Sequence, residues 1–298
     1  MRELIPQAWA EQIAGYEPDG GPSGPDWLRG VPGLIEASLE RWRLTVTGPA
    51  MTGWTAMVLP VSRDGAPLAL KIGWPHHQAE HEALALRLWD GAGAVRLVAA
   101  RPREATLLLE RLDADRDLDR AEVWTDEACE IIGTLLVRLN VAAPPQLQPL
   151  AEFLDPHLEQ LGQDPRVPRR VATRVRSLAA ELFADAGEPR MLHTDLHFEN
   201  VLAGEREPWL AIDPKPLAGH PAWEIQPVLR NRFEELGTGA ALRWSVRHRL
   251  QLMAETMGID IELARAWTLV NTGIEVLWCA DDPEDASRQM AIFKALDD

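Results

Sequence analysis

The 298-residue sequence contains very little lysine. Lys71, Lys215 and Lys294 are its only lysines, so nearly all of its basic residues are arginines. The net charge is −16 at pH 7, and the chain lacks the cationic surplus that binding to a nucleic-acid backbone requires. We therefore expect no nucleic-acid partner. Since lysine is so rare here, each lysine that remains is a candidate for a specific role.

Cysteine and long apolar segments are also scarce. Cys129 and Cys279 are far apart in the sequence and do not suggest a disulfide framework, which makes a reducing compartment the default expectation. No apolar run approaches the length of a membrane span, and no signal-peptide pattern follows Met1. We therefore expect a cytoplasmic protein that does not bind a membrane.

The pattern of apolar residues predicts an α+β fold with two lobes. Glycine and proline are concentrated in residues 15–33, which predicts a mobile loop there. Short alternating segments between residues 44 and 110 predict strands, with one long helix at residues 79–89. The predicted lobes are a β-rich lobe over residues 1–111 and a larger helical lobe over residues 112–298. The helices predicted in the second lobe cover residues 124–140, 150–161, 166–184, 222–236, 241–257 and 260–280.

The segment from Met191 to Asn200 carries the most specific pattern. It reads MLHTDLHFEN and has the H-x-D-L-x-x-x-N spacing of a kinase catalytic loop. A short apolar strand then ends at Asp213. Phosphoryl transfer needs an acceptor hydroxyl held in line and Mg²⁺ to neutralise the phosphates. We predict that Asp195 is the catalytic base and that Asn200 and Asp213 are the magnesium ligands.

Three other interpretations of this segment remain open from the residues alone. It could be an ordinary surface turn rich in Asp and Asn. His193, Asp195 and His197 could instead bind the metal of a hydrolase, with His220 as a further ligand, although no His-rich cluster elsewhere completes a tetrahedral site. The chain could also be a catalytically silent nucleotide-binding protein. The chain retains all the residues predicted to act in phosphoryl transfer, which argues against a catalytically silent protein.

Lys71 supports the kinase interpretation. It lies inside the apolar segment 68–72, where a charge is costly unless it is paired. A strand lysine that is held by a helix glutamate and contacts the α- and β-phosphates of ATP is the kinase arrangement. We predict that Glu82 is the partner of Lys71, with Glu80 as the alternative.

The rest of the predicted nucleotide site is less specific. Residues 47–54 lie between two predicted strands, where a phosphate-covering loop belongs, but they lack the G-x-G-x-x-G pattern. Residues 107–112 would form the last strand of this lobe and the hinge after it. We predict that Glu110 and Leu112 contact the nucleotide there, through backbone groups that read the adenine edge.

The acceptor site is predicted on the helix at residues 260–280. Trp267, Asn271 and Glu275 are spaced four residues apart and so share one face. An aromatic, a polar and an acidic side chain together suit a cationic sugar, through cation–π and charge-assisted contacts. Glu224 is a further acid predicted to contact such an acceptor. The alternative is an ordinary packed helix.

Four stretches together carry a resemblance to a known family. They begin at Leu68, Glu82, Leu107 and His193, and they resemble the aminoglycoside/hydroxyurea antibiotic-resistance kinases, from about Trp27 to near the end of the chain. The resemblance implies a two-lobed, protein-kinase-like fold, ATP and Mg²⁺ as cofactors, and O-phosphorylation of a small-molecule antibiotic. The roles inferred above for the lysine–glutamate pair, the base and the metal ligands agree with it.

The resemblance also suggests the acceptor. It implies a cationic, hydroxyl-bearing small molecule, with a streptomycin-type aminoglycoside as the expected substrate. Hydroxyurea, a nucleoside antibiotic or another small metabolite are the alternatives. The chain departs from the family pattern at Gly219-His220 and Trp223-Glu224. Both departures lie near the expected acceptor side, so they weaken the inference about substrate identity but not that about transfer chemistry.

Overall fold

The computed structural model describes residues 1–17 and 21–297, without the side chain of Arg2. The chain divides into two compact units. The first comprises Met1–Ala114 and Gly204–Pro208, and the second comprises Asp115–Ala203 and Trp209–Asp298. Gly204–Pro208, which the sequence prediction places in the helical lobe, thus belongs to the first unit. No helix within the described ranges is long and apolar enough to cross a membrane.

An antiparallel sheet forms the centre of the first unit. Its strands are β1 (Thr45–Val46), β2 (Met51–Thr52), β3 (Ala56–Arg63), β4 (Ala66–Gly73), β5 (Leu97–Arg101) and β6 (Thr106–Glu110). The order is β1-β3-β4-β6-β5, and β2 also pairs with β3. Asp64 and Gly65 join β3 to β4 and have φ angles of 52° and 83°, as a two-residue hairpin of this twist requires. β4 is central in the sheet, which explains why its residues from Leu68 to Gly73 are all buried.

The helices of this unit differ from the prediction. They are α1 (Gln7–Ala14), α2 (Gly24–Trp42) and α3 (Glu82–Trp89). The predicted loop at residues 15–33 is wrong from residue 24 onward, where α2 begins; residues 18–20 lie outside the described part. Ser23 caps α2 by accepting a hydrogen bond from the amide of Asp26, and Pro25 lies in the first turn, where proline is well tolerated. The helix predicted at residues 79–89 begins only at Glu82.

The second unit is mainly helical. Its helices are α4 (Thr125–Leu139), α5 (Leu150–Gln163), α6 (Arg169–Ala184), α7 (Gln226–Arg230), α8 (Ala240–Met257), α9 (Ile261–Trp278) and α10 (Pro283–Asp297). The predicted helix at residues 222–236 is wrong as one element, because it consists of α7 between two 3₁₀ turns. α10 was not predicted. It packs on α9 and α8, and its start is capped by the carboxylate of Asp282.

Short strands bring two loops of the second unit together. β7 (Asp113–Asp117) begins at the end of the first unit, and the strands that border the loops are β8 (Arg190–Leu192), β9 (Val201–Ala203), β10 (Trp209–Ala211) and β11 (Leu217–Gly219). β9 pairs with β10, and β8 pairs with β11, both antiparallel. Residues 193–200 connect β8 to β9, and residues 212–216 connect β10 to β11. Because both ends of each loop are held by paired strands, the two loops lie side by side.

The predicted fold class is confirmed, with an antiparallel sheet in the first unit and a helical second unit.

Candidate active site

His193 is a buried brace between the two loops. Its side chain is inaccessible, with 1% of the residue exposed. Nε2 lies 2.9 Å from the carbonyl oxygen of Ile212, and Nδ1 accepts a hydrogen bond of 3.4 Å from the amide of Asp195. Burial lowers the pKa of His193 to about 4, against the opposing effect of the nearby Asp195 and Asp213 carboxylates. The ring is therefore neutral at pH 7 and serves as a hydrogen-bonding spacer.

This geometry contradicts the metal-hydrolase interpretation. Both ring nitrogens of His193 face backbone groups, and Nδ1 of His220 accepts a hydrogen bond from the amide of Ala222. Within residues 1–17 and 21–297, no three His, Cys, Asp or Glu side chains are grouped so that they could hold a metal ion.

Glu224 holds the start of the catalytic segment. Its two carboxyl oxygens accept hydrogen bonds from the backbone amides of His193 and Thr194. Only 3% of the residue is exposed. Burial raises the pKa of Glu224 to about 8, although the two donated hydrogen bonds oppose the shift. These contacts argue against the predicted role of Glu224 in binding the acceptor, since its carboxyl group is turned inward to the loop backbone.

Two residues of the loops have backbone conformations that are unusual for side chains with a Cβ. Thr194 has a φ of 63° and Asp213 has a φ of 57°. Such conformations persist where surrounding contacts impose them, and they are frequent at active sites. Here the Thr194 hydroxyl donates to the carbonyl oxygen of Lys215 over 2.6 Å, and the amide of Lys215 donates to the carbonyl oxygen of His193 over 3.0 Å. The two loops are thus tied together at the two residues that precede Asp195.

Asp195 lies among three cationic or potentially cationic groups. The ammonium of Lys215 donates to its Oδ2, the guanidinium of Arg230 is 3.7 Å from Oδ1, and Nε2 of His197 is 3.9 Å from Oδ1. Burial alone would raise the pKa of Asp195, but Lys215, His197 and Arg230 outweigh it, and the pKa lies below its ordinary value of 3.8. Asp195 is therefore an ionised carboxylate at neutral pH.

Asn200 is oriented by the loop that contains Asp195. Its Nδ2 donates to the backbone oxygen of Asp195 over 2.8 Å and lies 3.4 Å from the carboxylate Oδ2. With the amide nitrogen used in this way, the amide oxygen is the atom left for a cation. The amide of Ile212 donates to the carbonyl oxygen of Asn200 over 2.9 Å. Asp213 is the residue directly after Ile212, so it lies next to this hydrogen bond. Amide and carboxylate oxygens are ligands that Mg²⁺ accepts, and the donor set fits that ion.

The predicted acceptor helix α9 is only partly available. Trp267 is 1% exposed and stacks on His220 at 5.3 Å between ring centroids. Asn271 is also buried, and it donates to the carbonyl oxygen of Trp223 over 2.9 Å. Their burial argues against the predicted contacts of Trp267 and Asn271 with an acceptor. Both positions lie on a helix that packs against α6, α10 and the turn before α7.

Glu275 is the member of the predicted stripe that lies near Asp195. Its Oε2 is 3.5 Å from the guanidinium of Arg230, which bridges towards Asp195. Burial raises the pKa of Glu275, and Arg230 opposes that shift. Arg230 therefore links the end of α9 electrostatically to the catalytic segment.

In the first unit, Lys71 and Glu82 form a buried ion pair. Nζ of Lys71 lies 2.6 Å from Oε1 of Glu82, and Lys71 is 8% exposed. The partner is thus Glu82, at the start of α3, rather than the alternative Glu80. β4 places Lys71 between Val58 on β3 and Leu107 on β6. The central strand fixes the lysine, and the first turn of α3 supplies its carboxylate.

The predicted hinge residues have other contacts within this unit. The Glu110 carboxylate accepts hydrogen bonds of 2.7 Å from the amide of Arg96 and from the guanidinium of Arg206. The amide of Glu110 donates to the carbonyl oxygen of Arg96, and Leu112 is buried. The amide and the side chain of Glu110 are therefore engaged in the protein, which argues against their use for adenine.

Sequence reasoning missed Lys215 and Arg230 as site residues. Lys215 had a detectable signal, because it is one of three lysines and lies two residues after Asp213. Arg230 had none, because arginine is common in this chain and the segment was predicted as part of a longer helix.

Comparisons with known proteins agree with this geometry. Residues 41–283 match the aminoglycoside/hydroxyurea antibiotic resistance kinase family. The chain belongs to this family. As a member it is a phosphotransferase with an alcohol group as acceptor, and the predicted family and enzyme class are confirmed.

Two curated relatives and one solved structure show the extent of the likeness. The chain is 45% identical to a hydroxyurea phosphotransferase of Kitasatospora aureofaciens, over 93% of this chain and 82% of the relative. It is 39% identical to a streptomycin 6-kinase of Streptomyces glaucescens, over 95% of this chain and 94% of the relative. A thermostable mutant of aminoglycoside phosphotransferase APH(4)-Ia, solved as a ternary complex with ADP and hygromycin B, superposes with a TM-score of 0.59 at 14% identity. The alignment covers 88% of this chain and 97% of that one, and it shows a shared fold.

Proposed function

We propose that this chain transfers the γ-phosphoryl group of ATP to a hydroxyl of a streptomycin-type aminoglycoside and so inactivates the antibiotic, in the cytoplasm. The observation that carries the proposal is the ionised Asp195 in a loop braced by His193 and Glu224, beside Asn200. The lysine–glutamate pair of the first unit supports it. Relatives at 39% and 38% identity are streptomycin 6-kinases.

In this proposal Asp195 holds the acceptor hydroxyl and takes its proton. A carboxylate with a lowered pKa is a weak base in the ground state, yet it accepts a hydrogen bond and orients the nucleophile. The surrounding cations keep Asp195 ionised, so that its carboxylate can accept a hydrogen bond from the neutral hydroxyl of the acceptor. Positioning of this kind supplies much of the catalysis of phosphoryl transfer, since little covalent chemistry falls to the protein.

Asn200 and Asp213 would hold Mg²⁺, and Lys71 would contact the α- and β-phosphates. When bound, the metal ion supplies positive charge against the phosphate oxygens. The role of Glu82 is to keep the Lys71 ammonium in place, because an ammonium that is buried without a carboxylate partner is unstable. Glu110 and Leu112 would contribute to the nucleotide site through backbone groups other than the Glu110 amide, which donates to Arg96.

Glu275 is the acid best placed to contact a cationic acceptor. It lies next to Arg230, which is itself 3.7 Å from Asp195. An amine or guanidinium of the acceptor would compete with Arg230 for this carboxylate. Trp267 and Asn271 would act on the acceptor only indirectly, by packing α9 in place.

Hydroxyurea is a second candidate acceptor. In the free protein Lys215 and Arg230 already balance the charges of Asp195 and Glu275. A neutral acceptor would not compete for Glu275 and would leave the Arg230–Glu275 pair intact, and a relative at 45% identity is a hydroxyurea phosphotransferase. The Glu275 carboxylate thus favours a cationic acceptor, whereas its existing pair with Arg230 favours a neutral one.

Parallel assays with the two acceptors test the proposal. The purified protein is incubated with MgATP and streptomycin, with MgATP and hydroxyurea, or with MgATP alone, and both ADP release and the product mass are measured. We expect streptomycin to gain one phosphoryl group and Asp195→Asn to slow this gain by about 10²–10⁴-fold. Phosphorylation of hydroxyurea alone would replace the first candidate by the second. No phosphorylation of either would refute both.

A further inference from the structure

The catalytic loop itself carries no fixed positive charge. Between Asp195 and Asn200 the sequence is Leu-His-Phe-Glu, without lysine or arginine. During phosphoryl transfer the non-bridging oxygens of the γ-phosphoryl group are negatively charged, and cationic side chains commonly contact them. Under the function proposed above, a cationic side chain that contacts these oxygens beside Asp195 would therefore come from a segment outside the catalytic loop. In the described part of the second unit, Lys215 and Arg230 are the cations that contact or approach Asp195.

Lys215 is positioned from both sides of its backbone. Its amide donates to the carbonyl oxygen of His193 over 3.0 Å, and its carbonyl oxygen accepts from the Thr194 hydroxyl over 2.6 Å. The ammonium then reaches Oδ2 of Asp195. Its side chain is 30% exposed, so Lys215 is not sealed within the protein. A change of side chain at this position leaves both backbone contacts possible.

Arg230 is placed differently. Its guanidinium is 3.7 Å from Oδ1 of Asp195, which is beyond hydrogen-bond distance, and 3.5 Å from Oε2 of Glu275. Its charge is therefore divided between two carboxylates. Lys215, in contrast, donates a hydrogen bond directly to the Asp195 carboxylate.

We propose that Lys215 is a further catalytic residue, whose ammonium contacts Asp195 in the free protein and the γ-phosphoryl oxygens during transfer. This inference rests on the phosphotransferase function proposed above. The acceptor oxygen forms a bond to the γ-phosphorus as the bond from that phosphorus to the bridging oxygen breaks, and the electron pair leaves on ADP. The hydroxyl proton passes to Asp195. Lys215 forms no covalent bond and offsets the charge of the moving group, and its movement frees Oδ2 for the hydroxyl.

The scarcity of lysine permits a direct test by NMR. Protein labelled with ¹³C at lysine Cε gives one signal for each of its three lysines, assigned with single substitutions. MgAMP-PNP carries a γ-phosphoryl group and MgADP does not. We expect the Lys71 signal to shift with both nucleotides and the Lys215 signal to shift with MgAMP-PNP far more than with MgADP. The signal of Lys294, which is exposed on α10, should shift with neither.

Kinetics of matched variants provide the second readout. Lys215→Met should lower kcat by about 10²-fold or more, as loss of one charge-stabilising group does in other enzymes, with a smaller change in KM for ATP. Lys215→Arg retains a cation and should lose less. Lys294→Met is the matched control and should have the activity of the parent.

The outcomes separate this inference from the function on which it rests. If the Lys71 signal responds to nucleotide and the Lys215 signal responds equally to MgAMP-PNP and MgADP, or to neither, Lys215 does not contact the γ-phosphoryl group. Near-normal kcat in Lys215→Met has the same meaning. If no lysine signal responds to either nucleotide, the proposed nucleotide site fails and the inference fails with it.

Discussion

Substitution of Glu224 by glutamine isolates the buried carboxyl group that holds the catalytic segment. Burial raises the pKa of this group from 4.5 to about 8 in the folded protein. Between these two pH values the folded state retains a proton that the unfolded chain releases. Because the folded state binds more protons, the free energy of unfolding contributed by Glu224 is greatest below pH 4.5 and falls as the pH rises through 8.

The size of the effect follows from the same shift. One retained proton corresponds to a slope of about 1.4 kcal/mol per pH unit. Over the whole window the loss reaches on the order of 5 kcal/mol, which is a large part of the stability of an ordinary domain. Glutamine cannot release a proton, so the slope should vanish in Glu224→Gln. The variant should also be about 1–3 kcal/mol less stable at low pH. The glutamine amide nitrogen is a donor and would face the backbone amide of His193 or Thr194, so one hydrogen bond would be lost.

The assay is urea unfolding, followed by circular dichroism at intervals from pH 5 to pH 9. The measured quantity is the difference in unfolding free energy between parent and variant at each pH. Other titrating groups cancel in this difference, including His193, whose lowered pKa makes stability rise with pH between about 4 and 6.5. Glu234→Gln removes an exposed carboxylate nearby in the sequence and is the control, expected to follow the parent. Parallel profiles of parent and Glu224→Gln would refute the reasoning and show that the two amide hydrogen bonds outweigh burial.

Three further predictions concern activity. Asp195→Asn should keep nucleotide affinity, measured by calorimetry, and lower kcat by about 10²–10⁴-fold, since the amide cannot take the hydroxyl proton; near-normal turnover would exclude the role. Lys71→Ala should impair nucleotide binding and turnover, while Glu82→Gln should give a milder defect of the same kind because Glu82 contacts only the lysine; equal nucleotide KM in all three proteins would contradict this. Glu275→Ala should raise KM for streptomycin far more than KM for ATP, because it removes an acid beside Arg230; an unchanged acceptor KM would show that α9 does not contact the substrate.

The parts of the site that the sequence could predict are those in which local spacing determines contact. The H-x-D-L-x-x-x-N segment and Asp213 are joined by one short hairpin. Their spacing along the sequence therefore largely determines that they lie close together. Lys71 was recognisable because a charge inside an apolar strand requires a partner, and α3 begins at Glu82. Both inferences needed only a few elements and no knowledge of how the larger unit packs.

The parts that could not be predicted depend on packing over long sequence distances. Spacing shows that Trp267, Asn271 and Glu275 share a face of α9, but not that neighbouring elements cover the first two. The inward direction of Glu224 depends on contact with residues about thirty positions earlier. The start of α2 was obscured because glycine and proline are loop signals in general, yet Pro25 lies in the first turn of the helix, where proline is well tolerated.

The charge balance around Asp195 has a consequence for the order of binding. In the free protein the ammonium of Lys215 occupies Oδ2, an atom that an acceptor hydroxyl would need. If a γ-phosphoryl group draws that ammonium away, nucleotide binding prepares Asp195 for the acceptor. The affinity for streptomycin should then be higher with MgAMP-PNP than with MgADP, and by linkage streptomycin should strengthen the binding of MgAMP-PNP relative to that of MgADP by the same factor. Calorimetric titration in both orders measures the two factors, and Lys215→Met should remove most of the coupling. Equal streptomycin affinities in the presence of the two nucleotides would show that the Lys215–Asp195 pair does not hinder contact between the acceptor hydroxyl and Asp195.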